Sequence, residues 1–208
     1  MIKALLVVFR PVGTWEWIVR AQRSAAFILI IYLLPLLLLS CAGEGYGLVH
    51  WGKWQAPGLR LKMFPPGEAV VFEVMQFLLS LGVVFLGAKL VKAVGETFHG
   101  RHTFQQAFTL VAYGMGPLLL LRLADASADI SPWVTWAVGI ALVIGALYHG
   151  VPRVMQPDPP QAFGLYVASS VLLLLITLLA RFITAWYLQG RFTKLEPIIS
   201  GLGARLPL

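Results

Sequence analysis

The chain has 208 residues, of which 59% are apolar and only 12% are charged, whereas an ordinary soluble domain has about 25% charged residues. That balance excludes a water-soluble fold of normal surface polarity. The formal net charge is +7, but the sequence has no basic stripe with interleaved aromatic residues, so the charge favours anionic lipid headgroups over nucleic acid as a partner. The single cysteine, Cys41, excludes an internal disulfide.

Five stretches without Asp, Glu, Lys or Arg predict membrane-spanning helices, because about 20 apolar helical residues cross a hydrocarbon core of about 30 Å. They are residues 24–43, 74–88, 103–121, 130–152 and 159–180. The second stretch is short and reaches a full span only with its flanking residues. The predicted fold class is therefore an all-α, polytopic integral membrane protein with five transmembrane helices and an amphipathic N-terminal interfacial helix.

The N-terminal segment, residues 1–23, is amphipathic rather than spanning. Trp15 and Trp17 favour the headgroup level, and the arginines beside them can snorkel from there. We therefore expect this segment to lie in the membrane interface, anchored by the two tryptophans. A five-helix domain over residues 24–189 follows it, and residues 190–208 form a short C-terminal tail.

The first two predicted spans differ in how they are bounded. The first covers residues 24–42 and contains Pro35, which predicts a kink because proline has no N–H to donate. Residues 44–68 are rich in Gly and Pro and predict a loop that follows the membrane surface. The second span covers residues 69–94 and is centred near Leu81, because ionised groups are tolerated only towards the ends of a span.

The third predicted span, residues 103–122, is interrupted near its middle. Gly114, Gly116 and Pro117 follow Tyr113 there, and proline within a helix removes a hydrogen bond. Transporters use interrupted helices as binding sites, but Gly and Pro also form simple packing kinks in spanning helices. A wet cavity reaching Tyr113 and Pro117 would favour a pathway, whereas a dry and tightly packed span would favour a kink.

The last two spans cover residues 132–148 and 161–187, with a proline-rich loop over residues 151–160 between them. At the end of the fifth span, Trp186 and Tyr187 are predicted interface anchors. Charged residues near span ends, such as Glu73 and Arg181, mark no ion path.

Small residues recur every four places in the fourth span, at Ala137, Ala141 and Gly145, and in the third span at Ala112 and Gly116. Such stripes allow helices to approach closely. They can serve packing within the chain or between copies of the chain, and the sequence does not separate these two alternatives.

One group of residues has ligand types that suit zinc or iron. It consists of Glu96, His99, His102 and His149. The glycines beside the first three argue against a stable helix, so we expect a solvated linker rather than a metal site. The sequence has no nucleotide-binding loop, nucleophile elbow or cysteine-based metal motif, and we expect no cofactor and no catalytic residues.

Orientation is nearly balanced, since basic residues divide evenly between the two predicted faces. Arg20 and Arg23 abut the first span, and this favours a cytoplasmic N-terminus.

Three short motifs carry a resemblance to a known family. They are Arg10-Pro11-x-x-Thr14-Trp15-x-x-Ile18, then Phe104-Gln105-Gln106-Ala107-Phe108 followed by Ala112-Tyr113-Gly114-x-x-Pro117, and finally Tyr148-x-Gly150-Val151-Pro152. In order and spacing they resemble the Yip family of five-span membrane proteins that interact with Rab GTPases, and its bacterial relatives in particular. The resemblance covers nearly the whole chain.

The resemblance implies five helices, a cytoplasmic N-terminus and no catalytic residues. Eukaryotic relatives act in vesicle traffic and contact Rab GTPases through a longer N-terminal region. Only about 23 residues precede the first span here, so Rab binding is not expected, and the bacterial inner membrane is the expected location, with an endomembrane as the alternative.

The expected function is a non-enzymatic scaffold or a lipid- and protein-interacting factor in membrane organisation or trafficking. Its expected partners are membrane lipids, further copies of the chain or other membrane proteins, with no nucleic acid. The alternative is a small transporter, channel or lipid-moving protein with its pathway at the broken third span. A membrane metalloenzyme that uses the histidine group is a third, remote alternative.

Overall fold

The computed structural model describes residues 2–55, 60–98, 102–190 and 196–204. Within them, five helical segments are long and apolar enough to cross a membrane. These are Ala25–His50, Pro66–Thr97, Phe104–Ala126, Pro132–Val154 and Pro159–Leu188. The predicted number of spans and their order along the chain are confirmed.

The helices and strands are labelled in chain order. The N-terminal helices are α1 (Ile2–Phe9) and α2 (Pro11–Ala21), the first span is α3 (Ala25–His50), and a hairpin of β1 (Lys53–Gln55) and β2 (Arg60–Lys62) follows. The second span is α4 (Pro66–Thr97), and the third consists of α5 (Phe104–Gly114), α6 (Gly116–Leu121) and a 3-10 turn (Arg122–Ala126). The remaining helices are α7 (Pro132–Val154), α8 (Ala162–Leu188) and α9 (Glu196–Gly203).

The third span is the centre of the bundle. In its most apolar window, 72% of the residues are buried, against 28–44% in the other four spans. Its start is fixed by a capping box, in which the Thr103 hydroxyl accepts from the Gln106 N–H and the Gln106 side chain accepts from the Thr103 N–H. The third span therefore has protein neighbours on most sides, and the other spans expose more of their surface.

The first span continues well past its predicted end. Helix α3 includes residues 44–50, which the sequence predicted as the start of a loop, and that prediction is wrong. Glu44 is fully buried and paired with Arg122, and a helix satisfies the backbone groups that a loop would leave unpaired in lipid. Beside Pro35, the helix widens into a π turn at Leu29–Leu33, which accommodates the residue that cannot donate.

The connection after the first span contains structure that the sequence analysis did not predict. Strands β1 and β2 pair antiparallel, with Trp54 opposite Leu61. The fourth span also runs further than predicted, because α7 continues through Pro152 to Val154. Proline is tolerated there since the lost hydrogen bond lies in the last turns of the helix. In the predicted tail, α9 buries Ile199 against a small apolar cluster with Phe72.

The N-terminal helices fold back against the bundle instead of lying free on its surface. The Thr14 hydroxyl donates to the Leu6 carbonyl and so joins α2 to α1. Trp15 is fully buried and donates from Nε1 to the Ala146 carbonyl at 3.0 Å. The interface-anchor prediction is therefore wrong for Trp15, because its ring fills a space left by Gly150 in the core.

The other three predicted interface anchors differ in whether their side chains are exposed. Trp17 and Trp186 keep exposed surface, as an anchor requires. Tyr187 is buried, stacks on Phe72 and donates to Glu68 at 2.7 Å. Its predicted anchor role is wrong because the hydroxyl is used inside the protein.

Candidate functional site

Buried charges gather at one end of the bundle, which we call the distal end because it lies opposite the N-terminal helices. The first, third and fifth spans end there, and the second and fourth begin there, so side chains far apart in sequence meet. The charged members of this polar cluster within the spans are Glu44, Glu73, Arg122, Asp125 and Arg181, all of them buried. Buried charges need partners, and each of these residues lies within 4 Å of an oppositely charged one, although neither Glu73 oxygen accepts a hydrogen bond from the described residues.

Arg122 holds the first half of the polar cluster together. Its Nη2 lies 2.9 Å from Glu44 Oε2 and 3.8 Å from Glu73 Oε2, and its Nη1 donates to the Ser80 hydroxyl at 3.1 Å. Gln76 Nε2 donates to the same Glu44 oxygen at 2.5 Å. Two carboxylates therefore share one guanidinium, and the first three spans are joined by charge-assisted hydrogen bonds.

Arg181 and Asp125 form the second half. Arg181 Nη2 lies 2.5 Å from Asp125 Oδ2 and its Nε donates to the Pro132 carbonyl at 2.8 Å. The Thr135 hydroxyl donates to the other Asp125 oxygen. Through these bonds the end of the third span is tied to the start of the fourth and the end of the fifth.

Lys53 closes this half from the hairpin. Its Nζ donates to the backbone carbonyls of Asp125 and Ser127, each at 2.7 Å. Burial lowers the pKa of Lys53 from its ordinary value, and attraction by the Asp125 and Glu44 carboxylates opposes that shift. The hairpin is thus attached to the distal end through a buried amine.

Close helix approach at this end depends on Gly47. A Cβ at this position would overlap the backbone of Ala126, so α3 and the 3-10 turn can meet only where a residue has no side chain. That contact brings Glu44, one turn earlier on α3, to Arg122.

A small cavity of about 60 Å³ separates the two halves of the polar cluster. It is lined by both guanidinium-bearing side chains and by Gln76, whose Oε1 has no hydrogen-bond partner among the described residues. The space has room for a few water molecules. Around it, Glu44 pairs with Arg122 and Asp125 pairs with Arg181, so the arrangement is suited to holding helices together.

The broken third span is closed by packing. Tyr113, Gly114, Gly116 and Pro117 are all buried, and the chain bends at Met115 between α5 and α6. A Cβ at Gly116 would overlap the Tyr32 hydroxyl, and the rings of Tyr32 and Tyr113 lie 4.4 Å apart. The four predicted residues therefore lie together in the core and have the environment of a packing kink.

The small-residue stripe of the fourth span faces outwards. Ala137, Ala141 and Gly145 are exposed, and no other residue lies within 4 Å of a Cβ built on Gly145 in the described part of the chain. Packing within the chain, one of the two predicted alternatives, is wrong for these residues. Gly139 makes the close contact on the opposite side of α7, against Leu118, whereas the stripe stays available to a second molecule.

The remote metal-ligand candidates do not converge within the described part of the chain. Glu96 pairs with Lys92 at 3.1 Å, His149 packs edge-on against Tyr148, and His99 lies outside the described residues. His102 is buried beside Gly95; burial lowers its pKa, against the attraction of Glu96. The described residues contain no group of three or more His, Cys, Asp or Glu side chains arranged to hold a metal.

Sequence reasoning missed Glu44, Arg122 and Asp125 because each was assigned to a loop or a span end. A signal was present. Glu44 and Arg122 lie immediately beyond charge-free stretches and Asp125 follows Arg122 by three residues, and alternation of the spans puts all three, with Glu73 and Arg181, on the same membrane face. Opposite charges at equal depth on neighbouring spans predict buried ion pairs.

A known protein family matches most of the chain. The family model of the Yip1 domain matches residues 5–181, a range that begins in α1 and ends at the last arginine of the polar cluster. No curated protein and no solved structure matches the chain. Five apolar spans and a domain match of this extent identify an integral membrane protein, and the chain belongs to the Yip family.

Proposed function

We propose that the protein is a non-enzymatic membrane scaffold, which binds lipids or other membrane proteins on the outer faces of its helices and acts in membrane organisation or trafficking. The closed third span carries this proposal. A pathway along that span needs space beside Tyr113 and Pro117, but both side chains are buried. The polar cluster supports the same view, because its charges are engaged with one another.

The exposed surfaces support binding to other molecules in the membrane. Large apolar side chains are exposed along the spans, among them Leu78, Val138 and Leu179, where acyl chains or another helix can cover them. The outward stripe of Ala137, Ala141 and Gly145 permits close approach of a second helix. Copies of this chain and other membrane proteins are both candidates for that contact.

The distribution of charge supports a cytoplasmic N-terminus. Basic side chains exceed acidic ones at the N-terminal end, where the described charges are Lys3, Arg10, Glu16, Arg20, Arg23, Lys89, Lys92, Glu96, Arg153 and Asp158. Arg20 and Arg23 directly precede the first span, where basic residues favour the cytoplasmic side, and the bacterial inner membrane is the membrane we propose.

Two measurements on the full chain test the proposed function. The first is release of a trapped fluorescent dye and of potassium from liposomes with and without the protein. A scaffold leaves both rates at the level of empty liposomes. Protein-dependent release that Gly116→Ala abolishes would instead establish the transporter alternative.

The second measurement is mass spectrometry of the protein extracted gently with its native lipids, after photo-crosslinking in the membrane. A scaffold retains bound lipid or a cross-linked protein through its outer faces. Ala141→Leu, on the exposed stripe, should reduce protein cross-linking, whereas Val171→Leu, on an exposed face of α8, serves as the matched control. A monomer that carries neither lipid nor protein contradicts the proposal.

A further inference from the structure

A cavity at the N-terminal end of the bundle is lined mainly by polar residues. It has a volume of about 430 Å³ and lies where α2 and α7 end and α5 begins. Four glutamines and one arginine line it, namely Gln22, Arg23, Gln105, Gln106 and Gln156. We call this the glutamine pocket. None of the described residues that line it is acidic, so its only formal charge is positive.

Two of these glutamines have an unfavourable backbone conformation. Gln22 has φ 41° and Gln156 has φ 47°, and they are the non-glycine residues with positive φ in the described part of the chain. Left-handed backbone is costly for a residue with a Cβ, and helix ends of this kind usually use Gly or Asn. Both exceptions line one pocket, and strain of this kind tends to cluster at functional sites.

The strained glutamines have unused side chains. Both side chains are exposed, and neither amide has a hydrogen-bond partner among the described residues. Glycine in their place would relieve the strain at the cost of the side chain. Both amides are therefore free to bind a molecule outside the chain.

The other side chains of the pocket are oriented by the protein. Gln106 Oε1 accepts from the Thr103 N–H and hydroxyl, so its amide N–H groups remain as donors. Gln105 Nε2 donates to the Arg23 carbonyl at 3.1 Å and fixes the backbone of that residue. The Arg23 guanidinium lies over the Phe27 ring, 4.7 Å from its centre. Arg23 and the four glutamines thus border the same space.

This combination matches a specific ligand chemistry. A guanidinium is suited to a phosphate oxygen. Amides both donate and accept, as neighbouring hydroxyl groups on a ligand require. We propose that the glutamine pocket binds a phosphate ester that bears hydroxyl groups, in the form of the headgroup of an anionic phospholipid. The proposal rests on the scaffold function, since it names the lipid that the scaffold holds.

The position of the pocket favours a lipid as the source of that headgroup. One wall is apolar, formed by Ile18, Val19 and Val154, and it can cover the glycerol and upper acyl carbons. Trp17 on α2 is exposed at the same end, with Lys3 Nζ 3.4 Å from the centre of its ring. Tryptophan and lysine are typical of the headgroup level.

The test uses the full chain in detergent and native mass spectrometry with added lipids. Phosphatidylglycerol has the phosphate and the hydroxyls, phosphatidic acid has the phosphate alone, and phosphatidylcholine has no net charge. We expect phosphatidylglycerol to bind about tenfold more tightly than phosphatidylcholine, from one charge-assisted contact, and more tightly than phosphatidic acid. Equal affinity for the three lipids overturns the proposal, and equality of the two anionic lipids overturns the role of the amides.

Variants separate binding from folding. Gln22→Gly and Gln156→Gly should weaken phosphatidylglycerol binding several-fold and leave thermal stability equal or higher, because glycine relieves the left-handed backbone. Gln22→Asn tolerates that backbone and keeps an amide, so it should retain part of the binding. Arg23→Gln should remove the preference for anionic lipid, whereas Arg20→Gln, one turn earlier and paired with Glu16, is the matched control. Unchanged lipid preference in both glycine variants overturns the proposal.

A soluble ligand is the competing source. Glycerol 3-phosphate at millimolar concentration should not displace phosphatidylglycerol, and displacement at micromolar concentration would overturn the commitment to a lipid. The experiments distinguish failure of the pocket proposal from failure of the scaffold proposal. Lipid binding without headgroup preference would contradict only the proposed ligand of the glutamine pocket, whereas protein-dependent solute release would contradict the scaffold function.

Discussion

Arg181 in the fifth span and Asp125 at the end of the third span form a buried ion pair, with 2.5 Å between Nη2 and Oδ2. The two residues lie 56 positions apart in the chain. Thr135 and the Pro132 carbonyl complete the hydrogen bonds of the pair. The pair joins three spans at the distal end.

Removing one partner of this pair should destabilise the protein strongly. Asp125→Asn leaves the Arg181 charge buried without its counterion, and such losses cost about 3–5 kcal/mol. Chemical unfolding in mixed micelles measures the change. Glu16→Gln, in the exposed Glu16–Arg20 pair, should change stability by less than about 1 kcal/mol. Similar small effects at both pairs would contradict the structural role of Asp125.

Substitution of glycine by alanine should have opposite effects on stability at Gly47 and at Gly82. Gly47→Ala should destabilise by about 1–3 kcal/mol, because the new Cβ overlaps the backbone of Ala126. Gly82 has no such neighbour within 4 Å, and Ala is the better helix former there, by about 0.5–1 kcal/mol. Thermal unfolding of both variants checks the sign of each effect, and a destabilised Gly82→Ala would contradict the open surroundings of that residue.

Trp15 should behave as a core residue. Trp15→Ala removes a buried ring and its hydrogen bond to Ala146 and should cost about 3–5 kcal/mol. Trp17→Ala, on the exposed side of the same helix, should cost much less. Iodide quenching of fluorescence offers a second measurement, because Trp17→Ala should remove part of the quenchable signal and Trp15→Ala should not.

Labelling of engineered cysteines should place the two ends of the bundle on opposite sides of the membrane. The native Cys41 is buried and should not react with a membrane-impermeant maleimide. Arg20→Cys should react from one side only, the cytoplasmic side in the proposed orientation, and Trp54→Cys only from the other, since both positions are exposed. Reaction of both variants from one side would contradict the five-span arrangement.

Stability should fall as the pH is lowered below about 6.5 because of His102. Burial lowers the pKa of this histidine in the folded protein, so the unfolded chain binds the proton first, and folding weakens as the pH falls through the ordinary value. His102→Gln should remove part of this dependence. The measurement is the unfolding midpoint between pH 7.5 and 5, and an identical pH profile in the variant would contradict the assignment.

The spans could be predicted because a membrane-spanning helix is specified by a continuous run of apolar residues. A run such as 159–180 is long enough to predict a span, and the pair Gly116-Pro117 predicts a break in a helix from the local sequence. Partners at long range could not be predicted in this way. Trp15 has the composition of an interface residue and becomes a core residue only because Gly150, far along the chain, leaves room for its ring.

The polar cluster shows the same limit. The Gly and Pro content of residues 44–68 predicts a loop that begins at Glu44, but this residue continues the helix because Arg122 pairs with its carboxylate at 2.9 Å. The stripe of Ala137, Ala141 and Gly145 follows the correct helical period, but periodicity does not indicate which side of a helix meets its own chain. Gly139, outside the stripe, makes that contact.

The central third span also imposes an order on biosynthesis. Asp125 leaves the ribosome before Arg181 has been translated, and an unpaired aspartate near the end of a span is unfavourable, although by less than the cost of about 2.5–3.5 kcal/mol at the centre of a span. Insertion intermediates that contain four spans therefore lack the counterion that the finished protein supplies. Nascent chains truncated before the fifth span should be held by insertion factors or degraded, and the mature bundle forms only after translation has passed Arg181.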